Sequence, residues 1–184
     1  MDLTSPALGV IDLGTHTARL LVGRMHDSHL EVIANATRFS RLGEGLGRGN
    51  MLSMDAQRRT HDAVSELREV AQAHGCGRLQ LIATSACRRA CNGASFLKDL
   101  ERQLDIEALL LSGEAEAKLA FLAASGEFPQ RAKRIVIDIG GGSTEIVHRH
   151  PGSSAHVCCS LNIGSVVTRR EHFTTFPPAP DALD

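Results

Sequence analysis

The chain has 184 residues, 42% of them apolar and 22% charged, with a net charge of −1. That composition fits a globular protein with one well-buried core and excludes a disordered, fibrous or strongly basic chain. No apolar run approaches the ~18 residues of a membrane span, and MDLTSPALGV lacks the basic start and apolar stretch of a secretion signal, so a cytoplasmic protein without a membrane partner is expected.

Residues Ala7 to Leu13 read as a buried strand and Ala18 to Arg24 as a second, joined by the short turn Gly14-Thr15-His16-Thr17. Leu30 to Phe39 alternates as a third, which makes a meander. SRLGEGLGRGN (40–50) holds four glycines in eleven residues and reads as a loop. Ser53 then caps a helix patterned by Ala56, Ala63, Val64, Leu67, Val70 and Ala71, which Gly75 and Gly77 end. Leu79 to Ala83 is a short buried strand, and the polar, basic stretch TSACRRACNG leads into a helix around Ala94 to Gln103. Ile106 to Leu111 is the next strand, Ser112 caps a helix through about Ala124, and Arg134 to Ile139 is a strand that a glycine turn reverses into another. His156 to Leu161 and a short helix near Ser165 to Phe173 follow. Residues 1–176 read as one domain, and the proline-rich 177–184 as a linker or tail. The alternation predicts an α/β fold: a mixed sheet led by an antiparallel meander, with helices on both faces.

Five cysteines (Cys76, Cys87, Cys91, Cys158, Cys159) show neither a C-x-x-C pair nor metal-ligand spacing, and free thiols are expected. Seventeen of the twenty basic residues are arginine, whose planar fork suits phosphate oxygens, although codon bias explains the count equally well. With no Trp, no Tyr and six Phe there is little to stack bases on, which argues against nucleic acid as a partner.

Chemistry concentrates in two stretches of one frame, VIDLGTHTARLLVG (10–23) and VIDIGGGSTEIV (136–147). In each, an aspartate (Asp12, Asp138) ends a strand, and glycines behind it let backbone N–H groups turn towards an anion. Carboxylates repel phosphate directly, so the sensible order is carboxylate, then Mg²⁺ or water, then phosphate. A lone Asp-x-Gly is usually an ordinary turn; two copies in one frame argue against coincidence, and two such hairpins facing each other would hold a phosphate chain from both sides. Glu145 would lie near Asp138 across a tight hairpin and suit one hard cation, but its alternation with Ser143 and Val147 equally allows an outward-facing strand residue. In SGEAEAKL (112–119), Glu114 and Glu116 fall in the first turn of a capped helix, where they either favour the helix dipole or supply a general base. Arg88 and Arg89 follow a strand end, a usual place for ligand contacts. Arg41, Arg19 and His16 are further candidates beside the first turn.

VIDLGTHTARLLVG, RLGEGL, ATSACRRACN, SGEAEAKL and VIDIGGGSTEIV, in this order and spacing, resemble the exopolyphosphatase and guanosine pentaphosphate phosphohydrolase family, from about Leu8 to Phe173. The resemblance implies the actin-like ATPase (ribonuclease H-like) fold of the actin, Hsp70 and sugar kinase superfamily, with a five-stranded mixed sheet. It implies release of terminal phosphate from polyphosphate; guanosine pentaphosphate hydrolysis and a non-catalytic nucleotide sensor are the alternatives. Residue by residue, it makes Glu116 the water-activating base and Arg88 the phosphate-contacting arginine. It makes Asp138 and Glu145 the Mg²⁺ acids. Asp12, Gly14, Thr15, His16, Thr17 and Arg19 fall on the first substrate loop, and Gly140, Gly141, Gly142, Ser143 and Thr144 on the second. Thr15-His16-Thr17 replaces the family's usual Ser-Asn-Ser, and Ala115 stands where a Glu is usual. Members of the family carry a second domain that this chain is expected to lack, so half a cleft with little activity alone is expected; a homodimer is possible.

Overall fold

A computed structural model describes residues 6–27, 29–46, 49–127, 134–149 and 156–173. The expected proline-rich tail, 177–184, lies outside the described residues. The chain divides into two compact units, Met1–Leu110 and Leu111–Asp184. The division falls where the fifth strand ends, and among the described residues the later strands pair with one another.

In the first unit, β1 (Ala7–Leu13) alternates buried and exposed along its whole length, so Ile11 and Leu13 face a core while Leu8, Val10 and Asp12 face outward. β2 (Ala18–His26) and β3 (His29–Arg38) complete the expected antiparallel meander, with a bulge between Val22 and Gly23. Helix α1 (Met54–Ala73) starts as expected at Ser53, whose hydroxyl accepts from the Ala56 amide at 3.2 Å. It returns the chain to β4 (Cys76–Ala83), parallel to β1, and β5 (Glu107–Leu110) is parallel to β4. A parallel pair needs such a crossover. The sheet order is β3-β2-β1-β4-β5. Two helices lie between β4 and β5: α2 (Ser85–Arg89) and α3 (Gly93–Leu104).

Val64, Leu67 and Ala71 of α1, Phe96, Leu97 and Leu100 of α3, and the inward residues of β1, β2 and β4 form a single core. Each large apolar side chain buried there contributes about 1.5–3 kcal/mol. Where the sequence pattern suggests helices on both faces, those of this unit share one side. On the other, Leu8, Val10, Leu21, Met25, Val32 and Leu109 are exposed. Outward apolar residues turn these strands into near-continuous apolar runs, which mimic burial on two faces.

The second unit is an antiparallel sheet of β6 (Arg134–Ile139), β7 (Thr144–Arg149) and β8 (His156–Leu161), with α4 (Gly113–Glu127) on one face and α5 (Ser165–His172) following β8. Ala117 and Phe121 of α4 pack on Val147, Val136 and Cys158. The His156 ring meets Phe121 edge-on at 4.7 Å, and the Arg149 guanidinium lies 5.8 Å from the same ring. The other face shows Ile135, Ile137, Ile139, Val157 and Leu161 to solvent. All five cysteines are free thiols, and among the described residues no helix is long and apolar enough to cross a membrane.

Candidate functional site

The two Asp-x-Gly stretches fold into the same object. The Gly14 amide donates to the Thr17 carbonyl at 2.9 Å, and the Gly140 amide to the Ser143 carbonyl at 2.9 Å. A Cβ added to either glycine would lie 3.3 Å from that same carbonyl oxygen, tighter than side chains normally tolerate. Each turn is clasped from outside by amides of a later segment. In the first unit, the Arg41 and Gly43 amides donate to the carbonyls of His16 (2.9 Å) and Thr15 (2.8 Å). In the second, the amides of Ser165 and Val166 donate to the carbonyls of Gly140 (3.0 Å) and Gly141 (2.9 Å). Three carbonyls of each turn, those of Thr15, His16 and Thr17 and of Gly140, Gly141 and Ser143, thus accept hydrogen bonds. Among the described residues, no hydrogen bond uses the amides of Thr15, His16, Thr17, Gly141, Gly142 or Ser143. A turn with most of its oxygens bonded and its N–H groups uncommitted suits an anion.

The frames differ in what crosses the hairpin. Asp12 pairs in register with Arg19, two opposite charges face to face, whereas Asp138 pairs with Glu145. Like charges directly opposite repel, so the second hairpin is the one that calls for a cation. Glu145 faces inward and is only 1% exposed, which decides against the outward-facing alternative. Ser160 of β8 donates to it at 2.8 Å. One hydroxyl serves one of the roughly four acceptor positions of a carboxylate, so capacity remains for a hard ion. Among the described residues no cluster of three or more His, Cys, Asp or Glu could hold a metal. A carboxylate pair is nonetheless a set that suits Mg²⁺, which keeps several waters and takes one or two protein acids beside phosphate oxygens.

Helix α4, which packs on this hairpin's sheet, starts at Ser112 as expected; its hydroxyl accepts from the Ala115 amide at 3.1 Å. The helix separates the two acids of SGEAEAKL. Glu114 is exposed and bonded to Lys118 at 2.7 Å, and that ammonium holds its carboxyl below the usual range, the wrong direction for a general base. Glu116 is half-buried and adjoins Ala117, which is fully buried in the core beneath the sheet. The second unit contains Glu116, Asp138, Glu145 and the 140–144 turn. The first contains Asp12, Gly14 to Thr17, Arg19 and Arg88.

In the first unit, α2 begins where Thr84 donates its amide to the Leu13 carbonyl at 3.3 Å, so Arg88 stands on a helix tied to the end of β1. Arg19 is exposed at the start of β2. The His16 ring meets Phe39 edge-on, centroids 5.5 Å apart. Two residues, Asn92 and Gly164, carry no signal in a sequence read alone. Asn92 accepts from the Leu52 amide at 2.8 Å and donates to the Leu52 carbonyl at 3.0 Å, pinning the segment after α2. Gly164 touches the second turn. Arg41, a candidate from the sequence, meets the first through its amide.

A model of the Ppx/GppA phosphatase family matches residues 21–184. The chain belongs to the Ppx/GppA phosphatase family. It is 32% identical over 171 residues to a guanosine-5′-triphosphate,3′-diphosphate pyrophosphatase of Vibrio cholerae, covering 93% of this chain and 34% of that protein. Its fold is similar to the crystal structure of an exopolyphosphatase from Cytophaga hutchinsonii, with a TM-score of 0.84 and 25% identity over 95% of this chain and 56% of that one. It is also similar to the Aquifex aeolicus member of the Ppx/GppA family, with a TM-score of 0.77 and 27% identity over 97% and 58%. The chain thus spans about a third of the curated relative's length and somewhat over half of the solved chains. Among Ppx/GppA proteins, the five-stranded mixed sheet opened by a meander is the actin-like ATPase architecture expected from the motifs.

Proposed function

We propose that this chain forms the phosphate-binding and water-activating part of a cytoplasmic phosphoanhydride hydrolase that releases terminal phosphate from inorganic polyphosphate. The observation that carries this reading is the repeated turn: Gly14–Thr17 and Gly140–Ser143 share one hydrogen bond, one glycine constraint and one set of uncommitted amides. Each turn takes the oxygens of one phosphoryl group. In the second unit, Glu116 is the base that takes a proton from the attacking water, because its neighbour Glu114 is committed to Lys118. Asp138 and Glu145 would hold Mg²⁺, which when bound offsets phosphate charge. The amides of Gly141, Gly142 and Ser143 receive the charge that grows on the phosphoryl oxygens. Arg88 adds a fork to a phosphate oxygen.

Guanosine pentaphosphate is the second reading, favoured by the 32% identity to the Vibrio cholerae pyrophosphatase. Both substrates present a terminal phosphoanhydride to the same groups. The test is phosphate release from polyphosphate and guanosine pentaphosphate in parallel, by this chain and by a longer protein containing it, with and without Glu116→Gln. The substitution is expected to lower release by about 10²-fold or more while polyphosphate binding persists. Release untouched by Glu116→Gln would remove the base from the mechanism, and the ratio of the two rates chooses the substrate.

A further inference from the structure

Four described non-glycine residues sit in the left-handed backbone region: Asp27, Asn50, Asp105 and Arg41. Asp and Asn tolerate that region because their short side chains bond locally; arginine has no such excuse. Arg41 (φ 48°) is exposed between two fully buried neighbours, Ser40 and Leu42. Its amide is the one that grips His16, and Gly43 grips Thr15 two residues on. The loop is therefore held on the first turn by its backbone and its buried leucine. Glycine would fill position 41 without conformational cost, and the loop already uses glycine at 43 and 45. What glycine would lose is a cation beside the turn.

That cation is uncommitted. The loop's own carboxylate, Glu44, is bonded to Arg59 at 3.0 Å, and Arg38 is taken by Glu66, while among the described residues the Arg41 guanidinium has neither hydrogen bond nor ion pair. Two buried hydroxyls lie next in sequence to residues tied to this end of β1: Ser40 adjoins Arg41, and Ser85 adjoins the Thr84 bonded to Leu13; neither has a hydrogen-bond partner among the described residues. Buried polar groups are normally satisfied, so each of these hydroxyls has room for a solvent or ligand oxygen.

We infer that Arg41 is a substrate-binding arginine of the first turn, held in a strained backbone so that its guanidinium takes a phosphate of a polyanionic chain beside the turn amides. This rests on the phosphate-binding reading of the site. Arg41 acts on affinity and does not touch the reacting atoms.

The experiment is calorimetric titration of this chain with tripolyphosphate, for the wild type, Arg41→Gly, Arg41→Asn and the distant charge control Arg102→Ala, with a thermal melt for each. Arg41→Gly and Arg41→Asn both suit the left-handed backbone. Both are expected to weaken binding about 10-fold with a melting temperature equal to or above the wild type's, while Arg102→Ala binds as the wild type does. Equal binding by wild type and Arg41→Gly overturns the inference and leaves the turn reading intact, as does an equal loss in Arg102→Ala, which would mean net charge alone. A wild-type chain that binds no tripolyphosphate overturns the phosphate reading itself, and the role of Arg41 with it.

Discussion

Cys87 ends its side chain inside the first unit's core, and burial pushes its thiol from 9.0 up to about 12. Cys91, beyond the end of α2, is exposed. Because the unfolded chain releases the Cys87 proton near 9 and the folded chain holds it to about 12, this residue's contribution to stability is fully present below pH 9 and is lost as pH rises towards 12. Iodoacetamide at pH 8 is expected to alkylate Cys91 and Cys159 in the folded protein and to reach Cys87 only on unfolding, as mass spectrometry of timed samples would report. Labelling of Cys87 at the rate of Cys91 would show the burial to be wrong. The same buried corner explains Gly93: a Cβ there would lie 1.9 Å from the Cys87 carbonyl oxygen, so the step from α2 to α3 admits no side chain.

At the scale of elements, the second turn depends on how α5 begins. A Cβ on Gly164 would lie 2.5 Å from the Gly141 carbonyl carbon and 2.6 Å from the Gly142 amide nitrogen, so Gly164→Ala must push the helix off the turn. Loss of the Ser165 and Val166 clasps is expected to cost about 1–3 kcal/mol and to weaken phosphate binding together with stability. Denaturant melts and phosphate titration of the same variant check it; an unchanged midpoint would mean α5 is not holding the turn. Much of this architecture was legible beforehand because the signals are local. Ser53 and Ser112 cap where capping chemistry puts them, and 7–13 is the strand its apolar run announces, although only alternate residues of it are buried. Helix α2 escaped because five residues, SACRR, cannot show a period, and β4 begins three residues earlier than its apolar run because Gly75 and Gly77 read as loop. The burial of Glu145 escaped because alternation gives two faces without saying which one α4 covers. The clasps escaped because backbone amides donate from any residue type.

Across the whole molecule, each sheet keeps an apolar face uncovered in this chain, and contiguous exposed apolar surface favours association. Ile137 is 58% exposed at the middle of one such face. Ile137→Lys is expected to change stability by less than about 0.5 kcal/mol, since most of that side chain faces solvent, and to lower both light scattering at high concentration and fluorescence of a hydrophobic dye. A marked drop in melting temperature would show the face to be packed.

The order β3-β2-β1-β4-β5 also sets a timetable. Leu13 meets Ala18 across a single turn, but meets Ala83 only after the whole of α1 has been made. On a ribosome, the meander can close while the other margin of β1, the middle strand of the finished sheet, still waits with open amides and carbonyls. The phosphate turn at the end of β1 is thus built early, on a strand that is an edge during synthesis and becomes an interior strand only when β4 arrives. The interval between those two events is when a nascent chain of this topology most needs protection from pairing with its neighbours.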